Sequence, residues 1–317
     1  MTTQKIGVLL TNTGTPEAPT PAALKKYLRA FLSDRRVIDL PALLWKPLLH
    51  GFILPIRSKY SAKLYRKIWQ KEKSPMLVMM ECLQSTLKQK LKCPIEIGMH
   101  YSKPSMMDGL VSLKNEGVTL PIVLPLFPQF SYTTTASSYD RIMSSPFSSA
   151  LFIPIMQYAN HPLYLSALVS SVKRAWQAEG KGNHLVISFH GIPTRLMKKG
   201  DPYPVFCLFT AQMITQRLGL AKEEWTLCYQ SRFGFAKWLQ PATTDILMQL
   251  ANQGVKRVDV LCPGFSVDCL ETLEEIAIRG KETFLKYGGE KLNYIPALND
   301  SSEHIALLMD LIQTSSQ

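Results

Sequence analysis

Leu185-Val186-Ile187-Ser188-Phe189-His190-Gly191-Ile192-Pro193 is the stretch from which the fold of this chain can be read. A strand-like run, Leu185 to Phe189, leads straight into a histidine, and Gly191 and Pro193 then stop the strand from continuing. The imidazole is thereby set at the carboxyl edge of a sheet, the usual ligand crevice of an open parallel sheet. A lone histidine at a strand end is more often structural, so the assignment turns on what the rest of the chain places beside it.

Outward from that strand, short apolar runs alternate with longer amphipathic stretches. Strands are expected at Ile6–Thr11, Ile95–Met99, Pro121–Phe127 and Leu151–Met156 in the first half, and at Leu185–Phe189, Trp225–Tyr229, Arg257–Cys262 and Leu292–Ile295 in the second. Helical spacing fills the gaps, as in Leu24, Leu28, Phe31 and Leu32 or from Leu239 to Leu250, which is what the crossovers of a parallel sheet require. The pattern predicts an α/β protein of two similar units, 1–160 and 161–301, with a boundary near Asn160-His161-Pro162. A last helix is expected from Ser302 to Ile312, able to pack back on either half, with the first unit as the one that residues 302–317 would complete. No G-x-G-x-x-G follows the first strand, so a dinucleotide fingerprint is absent.

The 317 residues suffice for about two domains of ordinary size, and 46% hydrophobic content is that of a globular protein. Lys and Arg outnumber Asp and Glu by 36 to 24, a formal net charge of +12 that suits anionic partners. No block of five or six basic residues and no zinc-finger or RNP-like pattern accompanies it, which argues against nucleic acid. The six cysteines, at 82, 93, 207, 228, 262 and 269, form no C-x-x-C pair, and several lie in apolar runs, as reduced thiols in a cytoplasm would. The apolar run Ile6 to Leu10 is too short for a signal peptide, and no window reaches the roughly 20 apolar residues of a membrane span. A cytoplasmic protein is expected.

One region departs from plain alternation. Leu40 to Ile56 holds Trp45, Leu48, Leu49, Phe52, Ile53 and Leu54, interrupted by Lys46, Pro47, His50 and Pro55. It is either a helix capping the core or an exposed apolar lip that covers a flat ligand or touches a membrane surface.

The acidic counterpart of His190 is Phe265-Ser266-Val267-Asp268-Cys269-Leu270-Glu271-Thr272-Leu273-Glu274-Glu275, again a segment that follows a strand and opens a helix. Spacings of three and four put Asp268, Glu271 and Glu275 on a common helical face. Asp268 with Glu271 also reads as a capping box, but capping leaves Glu275 unexplained.

These segments belong to an ordered set: Asn12-Thr13-Gly14-Thr15-Pro16, Phe31-Leu32-Ser33-Asp34, Tyr101, Pro128-Gln129-Phe130-Ser131, Ser188 to Pro193, Gly200-Asp201-Pro202-Tyr203-Pro204, Gln230-Ser231-Arg232-Phe233-Gly234, Trp238-Leu239-Gln240-Pro241 and Phe265 to Glu275. In that order and over essentially the full length, the chain resembles the ferrochelatase family. The resemblance implies a chelatase-like fold of two Rossmann-like domains, each a four-stranded parallel sheet flanked by helices. It also implies an enzyme that inserts Fe²⁺ into protoporphyrin IX, forms protohaem and releases two protons. By position, His190 and Glu271 fall on the family's pair at the metal, and Asp268 and Glu275 on an acidic path for protons or metal. Thr13, Arg57, Tyr65, Ser74, His100, Tyr101, Trp238 and Phe265 fall on its substrate-binding wall.

The chemistry suits those residue types. Metallation strips two protons from pyrrole nitrogens, removes water from Fe²⁺ and bends a flat ring. A neutral imidazole accepts a proton or ligates ferrous iron, close carboxylates pass protons, and aromatic rings pack a macrocycle face. Arg57, Ser74 and Tyr65 are candidates for the substrate's propionates.

Two positions depart from the family. Thr13 stands where relatives carry Met, Leu or Tyr, and His100 where some carry arginine. No cysteine lies beyond Cys269, so neither an iron–sulfur cluster nor any other cofactor is expected, iron being a substrate. The lip and the missing tyrosine at 13 favour protoporphyrin over coproporphyrin. Peripheral contact with the inner membrane face accords with the lip and the positive charge. The alternatives are a chelatase for another tetrapyrrole or metal, and a non-catalytic haem or metal carrier. Oligomeric state is not legible in the residues.

Overall fold

A computed structural model describes residues 5–147, 151–234 and 236–316. Eight strands are present among them: β1 (Ile6–Asn12), β2 (Ile95–Met99), β3 (Leu120–Pro125), β4 (Ile153–Pro154), β5 (His184–His190), β6 (Trp225–Gln230), β7 (Arg257–Leu261) and β8 (Lys291–Ile295). They form two four-stranded sheets, ordered β2-β1-β3-β4 and β6-β5-β7-β8, with every pairing parallel. The four-plus-four pattern of the sequence is therefore realised. Central strands read as unbroken apolar runs because helices cover both sheet faces, and all of β5 but its last residue is buried. The edge strand β4 is shorter than the expected Leu151–Met156. Its Pro154 has no N–H for a ladder, and proline is confined to such edges.

The chain divides into two compact units, residues 1–126, 132–156 and 308–317, and residues 127–131 and 157–307. The expected boundary near residue 160 thus sits at 156–157, and the segment 127–131 crosses to the second unit. Hydrogen bonds explain the crossing. Tyr158 N–H donates to Pro128 O at 3.0 Å, Gln129 Nε2 to Tyr164 Oη at 3.1 Å and Thr210 Oγ1 at 3.2 Å, and Ser131 Oγ to Asp201 Oδ2 at 2.8 Å. Asp201 Oδ1 in turn accepts from Tyr203 N–H, so the Pro128–Ser131 and Gly200–Tyr203 motifs are one structural piece. The last helix, Ser302–Ser315, is likewise shared, its residues to Leu307 counting with the second unit and those from Leu308 with the first.

In the first unit, the helix Pro21–Leu32 starts at a Thr20 cap and buries Leu24, Leu28 and Leu32. Leu9, Leu110, Leu113, Val123 and Ile142 belong to the core over that sheet. Residues 42–68 are helical throughout, as Ala42–Leu48, a π-helical stretch Leu49–Ile53, and Leu54–Ile68. Leu49 and Leu54 are wholly buried, but Leu43 is 90% exposed, Leu44 74%, Phe52 66% and Ile56 70%. The region is thus a helix and an apolar lip at once. In the second unit Val186, Cys228, Leu247, Val260, Ile276 and Phe284 build the core.

Candidate active site

In the second unit, His190 is the last residue of β5, half-buried at the carboxyl edge as its sequence requires. Its Nδ1 lies 2.6 Å from Gly191 O. A carbonyl only accepts, so Nδ1 carries the hydrogen, and the Nε2 lone pair is the one left for a proton or a metal. Gly191 itself cannot carry a side chain without displacement, because a Cβ there would stand 3.0 Å from Gln230 O and 3.3 Å from the Trp238 ring. Trp238 is buried behind this turn, its Nε1 donating to Phe233 O at 2.9 Å while Leu239 N–H bonds Ile192 O. Phe265 also neighbours the imidazole, with ring centroids 6.4 Å apart and the planes tilted.

The acidic segment reaches His190 through Gln230. That residue pairs with His190 across β5 and β6, and its Nε2 donates to the backbone O of Glu271 at 2.6 Å. β6 and β7 flank β5, and Glu271 lies in the segment that follows β7, so this bond spans the end of β5 where His190 stands. The Gln230 amide is fixed by Ser188 Oγ, which donates to its Oε1 at 2.7 Å, and by the Cys262 thiol. Glu271 is half-buried with the Cys269 thiol against it. Burial, and then the Glu271 carboxylate, push that thiol well above its ordinary pKa.

The three carboxylates do not share a helical face as their spacing suggests. Asp268 precedes the first turn, Leu270–Thr272, and is buried in a network of donors: Tyr294 Oη at 2.5 Å, Thr272 Oγ1 at 2.8 Å and Asn299 Nδ2 at 2.7 Å. Burial and then this carboxylate push the Tyr294 phenol well above its usual pKa. His304 backs the network, its Nδ1 donating to Asn299 O at 2.5 Å, and burial lowers its pKa to about 4. Nor is there an Asp268–Glu271 capping box: the turn begins at Cys269, whose N–H bonds Thr272 Oγ1 at 3.0 Å. Glu275 is gripped by Ser231, whose N–H and Oγ donate to its two carboxylate oxygens at 2.8 and 2.5 Å. Ser231 holds a left-handed φ of 67° to do so, a conformation that costs a non-glycine residue roughly 1–2 kcal/mol.

In the first unit, the carboxyl ends of the neighbouring strands β1 and β2 bring Thr13, His100 and Tyr101 together. His100 N–H donates to Asn12 O at 2.9 Å and Tyr101 N–H to Thr13 O at 3.0 Å. The intervening turn depends on Gly14, at φ 100°, where a Cβ would stand 2.5 Å from Ser102 Oγ. Asp34 ties the group down, accepting from Tyr101 Oη at 2.6 Å and from Ser137 Oγ, with His100 Nε2 3.5 Å away. Burial acts to raise the Asp34 pKa, but hydrogen bonds from His100, Ser137, Tyr101 and Arg36 N–H hold it well below the usual carboxylate range.

The remaining expected residues follow one helix and its successor. Arg57 is half-buried on Leu54–Ile68, and Tyr65 is buried on the same helix with its ring edge-on to Trp69, centroids 6.1 Å apart. Ser74 is buried as the N-cap of Pro75–Leu91, its Oγ accepting from Leu77 N–H at 3.3 Å, so its hydroxyl is engaged in a structural bond. Asp34, Gln230 and Ser231 stand in motifs of the resemblance to which the sequence assigns no role, and Asn299 stands in none of them. The position of Gln230-Ser231 at the end of a strand beside β5 was the available signal.

The family model of ferrochelatase matches residues 5–316. The chain belongs to the ferrochelatase family. It is 49% identical over 314 residues to a ferrochelatase of Vibrio vulnificus (strain YJ016), with 98% of each chain covered. It is 48% identical to a ferrochelatase of Yersinia pestis (strain Pestoides F), with 99% of each covered, and 47% to ferrochelatase 1 of Shewanella oneidensis, over 98% of this chain and 96% of that one. Among solved structures, SirB of Bacillus subtilis with Fe³⁺ superposes at a TM-score of 0.56 and 11% identity, covering 98% of this chain and 96% of that one. At that identity the likeness concerns the fold, which is that of chelatases. Among the described residues, no group of three or more His, Cys, Asp and Glu is arranged to hold a metal ion.

Proposed function

We propose that this chain is an enzyme that inserts Fe²⁺ into protoporphyrin IX, releasing two protons and forming protohaem, with His190 and Glu271 at the reaction centre. The observation that carries the reading is the wiring of His190. Its Nδ1–H is fixed on its own loop carbonyl, its Nε2 lone pair is left to work, and Gln230 holds Glu271 across the same strand end. His190 Nε2 takes a pyrrole proton, Glu271 receives metal or relays the proton, and Glu275 on Ser231 carries charge outward. The buried Asp268 network sets the start of the acidic turn and so acts by position. In this reading Trp238 and Phe265 of the second unit are substrate-binding residues, and so, separately, are Thr13, His100 and Tyr101 of the first. Arg57 and Tyr65 are the candidates for the propionates, and Ser74 acts through its helix cap. No resident cofactor is required.

The lip supports peripheral membrane contact by a cytoplasmic protein: its exposed Leu43, Leu44, Phe52 and Ile56 lie among basic residues, and no helix among the described residues is long and apolar enough to cross a membrane. The testing experiment is anaerobic loss of free-porphyrin fluorescence with Fe²⁺ over many equivalents of protoporphyrin. Multiple turnovers are expected, and a signal that stops at one equivalent would instead make the chain a carrier. Co-flotation with anionic vesicles, lost on Leu43→Ser/Phe52→Ser, tests the lip.

A further inference from the structure

The segment that carries Glu275 is π-helical over Leu273–Gly280, between the single turn Leu270–Thr272 and the helix Lys281–Lys286. In a π-helix each N–H reaches five residues back, and Lys281 N–H does so to Ile276 O. Such segments are uncommon, so something in the sequence must select this one. Glu274 supplies the reason. Its side chain is wholly buried, and its Oε2 accepts from Arg279 Nε at 2.8 Å, while the Arg279 side chain remains 43% exposed. A carboxylate withdrawn from water needs a charged partner, and this partner stands five residues on. At the roughly 100° per residue of an α-helix, the fifth residue lies about 140° round the axis, on another face. With i to i+5 bonding it stands one turn above, where the guanidinium meets the carboxylate. The pair therefore forms in the π register and not in the α register.

The residues on either side of Glu274 in the site are held separately. Glu271 O is fixed by Gln230 Nε2, and the Glu275 carboxylate by Ser231 N–H and Oγ. We propose that the Glu274–Arg279 ion pair is a register lock, and that these two are positioning residues which keep Glu275 on Ser231 while Glu271 faces the reaction centre. The inference rests on the reading of Glu271 given above.

Removing Arg279 alone would strand a buried charge and risks misfolding, so the variant of choice is E274L/R279M, which replaces the pair by apolar groups of similar volume. It is expected to fold with unchanged thermal stability and to bind protoporphyrin, by fluorescence titration, as the parent does. Its kcat for Fe²⁺ insertion is expected to fall roughly 10- to 100-fold, the usual result of misplacing a group by about 1 Å. Arg279→Lys, which keeps the charge, should recover part of that loss. Because the lock acts through the Ser231 grip, adding Ser231→Ala to E274L/R279M should cost nothing further, although Ser231→Ala alone slows insertion. Parental kcat in E274L/R279M, or fully additive losses with Ser231→Ala, would overturn the lock while Glu271→Gln remained inactive. An active Glu271→Gln would instead overturn the reading of the site on which the lock depends.

Discussion

Two histidines stand at carboxyl ends of strands, one in each sheet, and are wired in opposite ways. His100 follows β2, the edge strand of the first sheet, and His190 ends β5, an inner strand of the second. The His100 side chain is 7% exposed, with Nε2 between Asp34 Oδ2 at 3.5 Å and Ser137 Oγ at 3.4 Å, so a carboxylate faces its ring nitrogen. His190 has a backbone carbonyl on Nδ1, and among the described residues no side chain hydrogen-bonds its Nε2. A carboxylate partner occupies the ring nitrogen and holds the imidazole in place, whereas a carbonyl on one nitrogen fixes the tautomer and leaves the other nitrogen's lone pair open. Both histidines stand at strand ends where a ligand can reach, and in the proposed function the second contact is what distinguishes the base from the positioned wall residue.

His190→Ala is the most damaging change this comparison predicts. Loss of a positioned acid–base group lowers kcat by about 10²–10⁴-fold, and the folded fraction, read by circular dichroism, should be unaffected. His100→Ala should instead act mainly on porphyrin KM, and equal kcat losses in the two variants would erase the distinction.

A third histidine extends the comparison to pH. His304 is fully buried with a pKa of about 4, against about 6.5 unfolded, so it folds neutral. A depressed pKa favours the folded state above pH 6.5, and that contribution is lost as pH falls from 6.5 to 4, where the unfolded chain binds the extra proton. The loss is roughly 3 kcal/mol, and urea melts at pH 7 and pH 4.5 should differ by much of it, with a smaller difference in His304→Phe. Asp34→Asn removes the carboxylate that serves His100, Tyr101 and Ser137 and should cost roughly 2 kcal/mol by denaturant titration. At the small end, Leu43→Ser at a 90% exposed site should shift stability by less than about 0.5 kcal/mol in the same assay.

Why sequence resolved some of these features and not others has physical causes. The strands were legible because parallel strands buried on both faces are unbroken apolar runs, and His190 was legible because Gly191 and Pro193 end its strand. Helical spacing failed at Asp268, Glu271 and Glu275, since the turn starts after Asp268 and then widens to a π register set by the buried Glu274–Arg279 pair. The transfer of residues 127–131 to the second unit was hidden because hydrogen bonds from Gln129 and Ser131, separated by 35 to 81 residues from their partners, hold them there. The lip resisted a choice between helix and exposed surface because both were true of it.

The most direct test of the central claim is anaerobic Fe²⁺ insertion into protoporphyrin by purified His190→Ala and Glu271→Gln, beside the parent and at matched folded fraction. The account predicts many turnovers for the parent and a loss of at least about 10²-fold in kcat for each variant, with porphyrin still bound. Insertion by His190→Ala at the parental rate would contradict it.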